Sequence, residues 1–228
     1  MTRKISNGRQ LVLTLALPTL VSIGLFVYGY IAEPAFSYRY LIVNLILAWL
    51  PLLFALWLVD ILRRKLWSSW EALGASLLWL LFLPNSFYIV SDLIHLQEAK
   101  PETVLYDAVM LASFAVTGIA LGVCSLYLIH REIRKRLSLS YAFLLVAIIL
   151  LMCSFAIYVG RDLRWNSWDA LFRPGWMLLD ISYSLFSPTD YGQLIKTTLS
   201  FWLLLSSIYL SAWQGTRLIV RAKLSMQD

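Results

Sequence analysis

Six apolar runs, at about 10–32, 39–62, 70–90, 103–129, 139–160 and 193–216, occupy most of the chain. Each is long enough to cross roughly 30 Å of hydrocarbon at about 1.5 Å of rise per residue. In lipid a backbone must satisfy its own polar groups, and for runs of this length the solution is the helix. The expected fold is therefore all-α: a polytopic membrane protein of six transmembrane helices, one membrane domain over residues 1–228. No stretch is polar enough or long enough to form a separate soluble domain. The composition agrees, with 60% hydrophobic and only 14% charged residues and a mean hydropathy of +0.73, far from the soluble range.

The charges alternate in character from one gap to the next. Basic clusters are Arg3, Lys4 and Arg9, then Arg63, Arg64 and Lys65, then Arg131, Arg134, Lys135 and Arg136, then Arg217, Arg221 and Lys223. The intervening gaps hold Glu33 and Arg39, then Asp92, Glu98, Lys100 and Glu102, then a balanced loop from Arg161 to Lys196. Under the positive-inside rule every basic cluster faces the cytoplasm, which places both termini there. The net charge of +6 is thus a topological signal, and no nucleic-acid partner is expected. The N-terminus resembles a signal peptide, but the apolar stretch from Leu11 to Ala32 is too long for a typical leader core, so it reads as an uncleaved first span. Cys124 and Cys153 both lie in apolar runs, which points to neither a disulfide nor a cysteine metal site.

Two polar segments share the face away from the cytoplasm. The first, LFLPNSFYIVSDLIHL (Leu81 to Leu96), closes span three. Treated as an α-helix at 100° per residue, it puts Asn85, Tyr88, Asp92 and His95 within an arc of about 80°. Asn85 lies roughly 10 Å deeper than Asp92, so a polar track descends into the bilayer. Pro84 removes one backbone hydrogen bond. A proline kink is the simpler expectation; a split helix would instead put Asn85 in the first turn of a half-helix whose amides receive an anion. The second segment, GRDLRWNSWD (Gly160 to Asp169), has Arg161, Arg164, Trp165 and Trp168 at i, i+3, i+4 and i+7, with Asp162, Asn166 and Asp169 on an adjacent face. An interfacial helix sorts them so. Trp and Arg there are equally the ordinary anchors of a membrane boundary.

The candidate assignment gives acid–base or metal work to Asp92 and His95, and substrate contact to Asn85, Tyr88, Arg161, Arg164, Trp165, Asn166, Trp168 and Asp169. Ordinary roles compete with it. Asp92 and His95 alone would mark the end of the hydrocarbon, and the arginines would pair with nearby carboxylates. A centre built on three histidines is excluded, since only His95 and His130 occur. Asp92, His95, Asp162 and Asp169 are possible ligands, yet their spacing fits no strong metal motif, so metal and cofactor stay unassigned. No G-x-S-x-G elbow, Walker loop or dinucleotide fingerprint is present, and nothing selects among Ser86, Ser91 and Ser167 as a nucleophile beside His95.

The remaining polar and small residues read as scaffold. Span four carries Ala108, Ala112, Ala115 and the Gly118-x-x-x-Gly122 pair, and span six a stripe of Ser200, Ser207, Ser211 and Gln214, both suited to close helix packing. Pro18, Asn44 and Pro51 are further kinked or polar positions. Asp107, at the outer start of span four, is the best additional site candidate. WMLLDISYSLF, between Pro174 and Pro188, is expected to form a short interfacial or re-entrant helix between spans five and six.

F-x-P-N-S-x-Y-I-x-S-D-L-x-H-L and G-R-x-x-R-x-N-S-W-D resemble the signatures of the bacterial membrane family of domain of unknown function 1361. The resemblance covers most of the chain. It implies a multi-pass protein of the bacterial inner membrane and brings no established activity. Three classes of function follow from the residues. An enzyme or binding protein would handle an amphiphilic or lipid-linked anionic ligand on the extracytoplasmic side, in contact with membrane lipids. A small-molecule transporter would use a break at Pro84. An accessory membrane protein would use the polar residues as an internal network.

Overall fold

The computed structural model describes residues 2–33, 38–165 and 169–225. Their only regular secondary structure is helical: α1 (Thr2–Ala32), α2 (Tyr40–Ile61), α3 (Trp70–Tyr88) continued by a 3₁₀ helix (Ile89–Glu98), α4 (Val104–Ile133), α5 (Leu139–Arg161), α6 (Asp169–Phe172), α7 (Pro174–Phe186) and α8 (Pro188–Ser225). Six helical stretches are long and apolar enough to cross a membrane: Gly8–Ala32, Tyr40–Ile61, Trp70–Glu98, Val104–Ile133, Leu139–Arg161 and Asp190–Ala222. These are the six runs of the sequence with their ends adjusted, the third and the sixth being the most extended. The chain forms two compact units, Met1–Leu128 and Ile129–Asp228.

In the first unit α2 buries Leu41, Leu45, Ala48, Leu52 and Ala55, a three-and-four spacing that lines one helical face. Hydrocarbon offers lipid-facing and helix-facing apolar groups much the same solvent, so close approach and polar pairing decide which faces meet. The Ser86 hydroxyl on α3 donates to the Ala48 carbonyl at 2.8 Å. The Trp79 indole donates to Ser125 Oγ at 2.8 Å, and Ser125 donates in turn to the Pro51 carbonyl at 3.0 Å. Ser22 on α1 meets Thr117 on α4 at 3.2 Å, and Trp49 Nε1 donates to Thr19 at 3.2 Å.

The Gly118-x-x-x-Gly122 pair sits where α4 crosses α3. A methyl group built on Gly118 would lie 2.5 Å from the Ser86 carbonyl oxygen, and one on Gly122 2.6 Å from the Phe87 ring. Ala115 is buried beside them, whereas Ala112 is exposed. α3 runs through Pro84 as one helix, so the split alternative is not formed.

In the second unit α5 packs on α8, burying Ala142, Val146, Leu150, Cys153 and Ile157, and the Trp202 indole donates to the Ala147 carbonyl at 3.0 Å. The serine stripe expected to pack span six does not do so. Ser200, Ser207, Ser211 and Gln214 are exposed, while Leu194, Thr198, Leu205, Tyr209 and Trp213 are buried. A serine in a helix satisfies its own hydroxyl, as Ser207 does on the Leu204 carbonyl at 2.7 Å, and is released from any need for a neighbour. A helix does lie between spans five and six, α7, opened by Pro174 at its first position, where a missing N–H costs nothing.

Candidate functional site

The polar end of the third span owes its geometry to a change of helix type. Beyond Tyr88 the backbone tightens to 3₁₀, with about three residues per turn, so residues three apart eclipse one another. Asp92, His95 and Glu98 therefore stack in one column, turned about 120° from Tyr88. The single arc of Asn85, Tyr88, Asp92 and His95 expected for a continuous α-helix is not formed. Asn85 instead turns back on its own helix and donates to the Phe82 carbonyl at 3.1 Å.

Within the column each residue has a distinct setting. Asp92 is 1% exposed, and its Oδ2 accepts from Asn44 Nδ2 of α2 at 2.8 Å. His95 is only partly buried. Its Nδ1 lies 3.2 Å from Glu98 Oε1, and its ring lies against Tyr40 with centroids 5.0 Å apart. Tyr40 is in turn edge-on to Tyr38 at 6.4 Å. Tyr38 donates to Asp107, a carboxylate 3% exposed that also accepts from Thr103 Oγ1 at 3.0 Å. Lys100 pairs with Glu33, tying the loop before α4 to the end of α1. Two buried carboxylates, two phenols, an asparagine and a histidine–glutamate pair thus gather at one end of the first unit. Asp107 belongs to this cluster. Tyr38, Tyr40 and Glu98 had no site role in the sequence reading, although the D-x-x-H-x-x-E spacing is a 3₁₀ period in plain view.

The cluster is acidic, and Tyr38 registers it. Burial first, then the Asp107 charge and hydrogen bond, then Glu98 and Glu33, push its phenol from 10.0 up to about 12. The native state therefore holds this proton more tightly than the unfolded chain. The corresponding stability is full below pH about 10 and is lost as pH rises towards 12. Melting curves in detergent should show the wild type losing stability across that window and Tyr38→Phe losing less. Equal losses would mean that Tyr38 is not held as described.

In the second unit α5 stops at Arg161, so the interfacial helix expected to align Arg161, Arg164 and Trp165 does not form across them. Arg164 takes φ 59°, in the left-handed region, a conformation that costs a non-glycine residue about 1 kcal/mol. The reversal brings the Trp165 amide to the Val159 carbonyl at 3.2 Å. The Trp165 indole donates to Asp180 Oδ2 at 2.9 Å, and Gln193 donates to Asp162 at 3.5 Å. Asp169 opens α6. Asn166 and Trp168 lie outside the described residues. A cavity of about 390 Å³ is lined by Trp165, Phe172, Arg173, Trp176 and Asp180. Phe172, Arg173, Trp176 and Asp180 carry no site role in the sequence, where the segment after Pro174 reads only as an interfacial or re-entrant helix.

The other histidine, His130, is enclosed in the second unit. It stacks on Trp213 at 4.2 Å, meets the edge of Phe143 at 4.9 Å and places Nδ1 2.6 Å from the Tyr209 hydroxyl. Among the described residues no three His, Cys, Asp or Glu side chains gather to hold a metal. The family model described as Protein of unknown function (DUF1361) matches residues 43–211. No curated protein and no solved structure matches the chain.

Proposed function

Given that the chain belongs to the DUF1361 family of proteins of unknown function, its activity has to come from its residues, and we propose acid–base chemistry on an amphiphilic or lipid-linked anionic substrate. The site is assigned to the extracytoplasmic side, as the distribution of basic clusters implies, and the membrane to the bacterial inner membrane, as the resemblance implies. The observation that carries the reading is the His95 setting. A partly exposed imidazole at the end of a membrane-spanning helix has its ring against Tyr40 and Nδ1 on Glu98. A carboxylate on one ring nitrogen fixes the tautomer and orientation of the imidazole, the arrangement that suits a histidine to proton transfer.

In this scheme His95 transfers the proton and Glu98 positions it. Asp92 is the buried carboxyl of the same column, and Asn85 and Tyr88, which lie off that face, are assigned to substrate contact. The second unit carries a separate candidate anion-recognising element of its own in Arg161, Arg164, Trp165, Asn166, Trp168 and Asp169, since guanidinium groups suit phosphate or carboxylate. Transport is the weaker reading, since its best pointer was a break at Pro84 and α3 is continuous there.

The test is turnover by the full chain in nanodiscs, incubated with a panel of phosphate-bearing lipids and lipid-linked sugars and followed by mass spectrometry. A product is expected from the wild type, reduced at least about tenfold by His95→Gln and less by Glu98→Gln. Full turnover by His95→Gln sinks the assignment.

A further inference from the structure

Arg173 caps α7 and lines one cavity with Trp176 and Asp180, which are four residues apart within the helix. Seven residues, about 10 Å of helix rise, separate Arg173 from Asp180 along the backbone, and no ion pair joins their side chains. The Arg173 guanidinium has no hydrogen-bonding or ionic partner among the described residues. Among the described residues Asp180 accepts a side-chain hydrogen bond through one oxygen, from the Trp165 indole at 2.9 Å. Trp165, Phe172 and Trp176 supply the aromatic part of the wall. Phe172 and Trp176 are 79% and 69% exposed, so the cavity is open at the surface.

A cation and an anion kept apart on one wall, with indoles beside them, favour a ligand that carries both signs. A simple anion would satisfy Arg173 but be repelled by Asp180. A simple cation would do the reverse, and a neutral sugar would leave both without a counter-charge. Guanidinium groups bind phosphate through two parallel N–H donors. Indole faces attract an ammonium group, and a nearby carboxylate adds to that attraction.

We propose that this cavity binds a phospho-ammonium group, with the phosphate on Arg173 and the amine against Trp165, Trp176 and Asp180. The same chemistry is carried by the head group of a zwitterionic membrane phospholipid and by free phosphoethanolamine. The inference is independent of proton transfer at His95, because it concerns binding alone.

The experiment measures binding of the purified full chain in maltoside detergent by isothermal titration. The probes are dihexanoyl phosphatidylethanolamine, dihexanoyl phosphatidylglycerol and O-phosphoethanolamine. The ethanolamine lipid should bind at least about tenfold more tightly than the glycerol lipid, which has the phosphate but no amine. Arg173→Gln should weaken both lipids. Asp180→Asn should abolish the preference between them, since only the amine loses its partner. Binding of O-phosphoethanolamine as tight as that of the lipid identifies a soluble ligand; binding of the lipid alone identifies a head group presented by the membrane. Both support the proposal. Equal binding of the two lipids by the wild type overturns it, and needs no variant to fold. A preference that persists in Asp180→Asn overturns it as well.

Discussion

Gly118→Ala should destabilise the first unit by about 3 kcal/mol, the upper end of what a single overpacked methyl group costs. On helix propensity alone the substitution would be favourable by about 1 kcal/mol, so the expected sign depends entirely on packing. The added carbon would lie 2.5 Å from a backbone oxygen, that of Ser86, and 3.2 Å from Ile89 Cδ1. A backbone atom cannot rotate away, so α3 and α4 must separate. Gly122→Ala meets the Phe87 ring at 2.6 Å, a side chain with some freedom, and should cost less. Gly74→Ala has nothing within 4 Å and should be neutral or slightly stabilising. Thermal melting in detergent for the three variants checks the order. The Gly118 effect should also reach the candidate site, because Ser86–Ile89 is where α3 gives way to the 3₁₀ column carrying Asp92 and His95. A Gly118→Ala protein that melts with the wild type would mean that the two helices are not in contact at this glycine.

The six spans were legible because hydrophobicity and length are properties of a run, and the bilayer fixes both. The glycine pair was legible for a related reason: without a Cβ two backbones can approach, and little else gives that spacing a use in a membrane helix. The site was legible in place and not in geometry. A pitch of 100° per residue put Asn85, Tyr88, Asp92 and His95 on one face, whereas the true pitch beyond Tyr88 is about 120°. Pro84 signalled that backbone hydrogen bonding changes nearby, but not that it tightens four residues later. The segment after Arg161 failed for a different reason. Its periodicity was helical, yet the chain reverses at Arg164, and an arginine with positive φ has no composition signal, unlike a glycine. On α8 the serines were mistaken for a packing stripe because a hydroxyl that bonds its own helix looks identical in sequence to one that bonds its neighbour.

Asn44→Leu should be the most damaging isosteric change at the site, costing about 3 kcal/mol. Leucine has the heavy-atom count and branching of asparagine and is the better residue for a membrane helix, so composition alone would predict a gain. The loss comes from Asp92. Its Oδ2 accepts from Asn44 Nδ2 at 2.8 Å while the residue is 1% exposed, and a buried carboxylate that loses one of its donors keeps its desolvation penalty with less to compensate it. Asp92→Asn should be milder, because an amide oxygen still accepts from Asn44 and no charge is buried. The double substitution Asn44→Leu with Asp92→Leu removes donor and acceptor together and should recover at least half of the Asn44→Leu loss, as replacing both members of a buried polar pair often does. Melting temperatures of the two single variants and the double variant in one detergent close the cycle. Additive losses would show that Asn44 and Asp92 are not coupled. A coupled pair whose single variants also lose the His95-dependent turnover would identify this hydrogen bond as the brace that holds the 3₁₀ column, and with it the imidazole, in register.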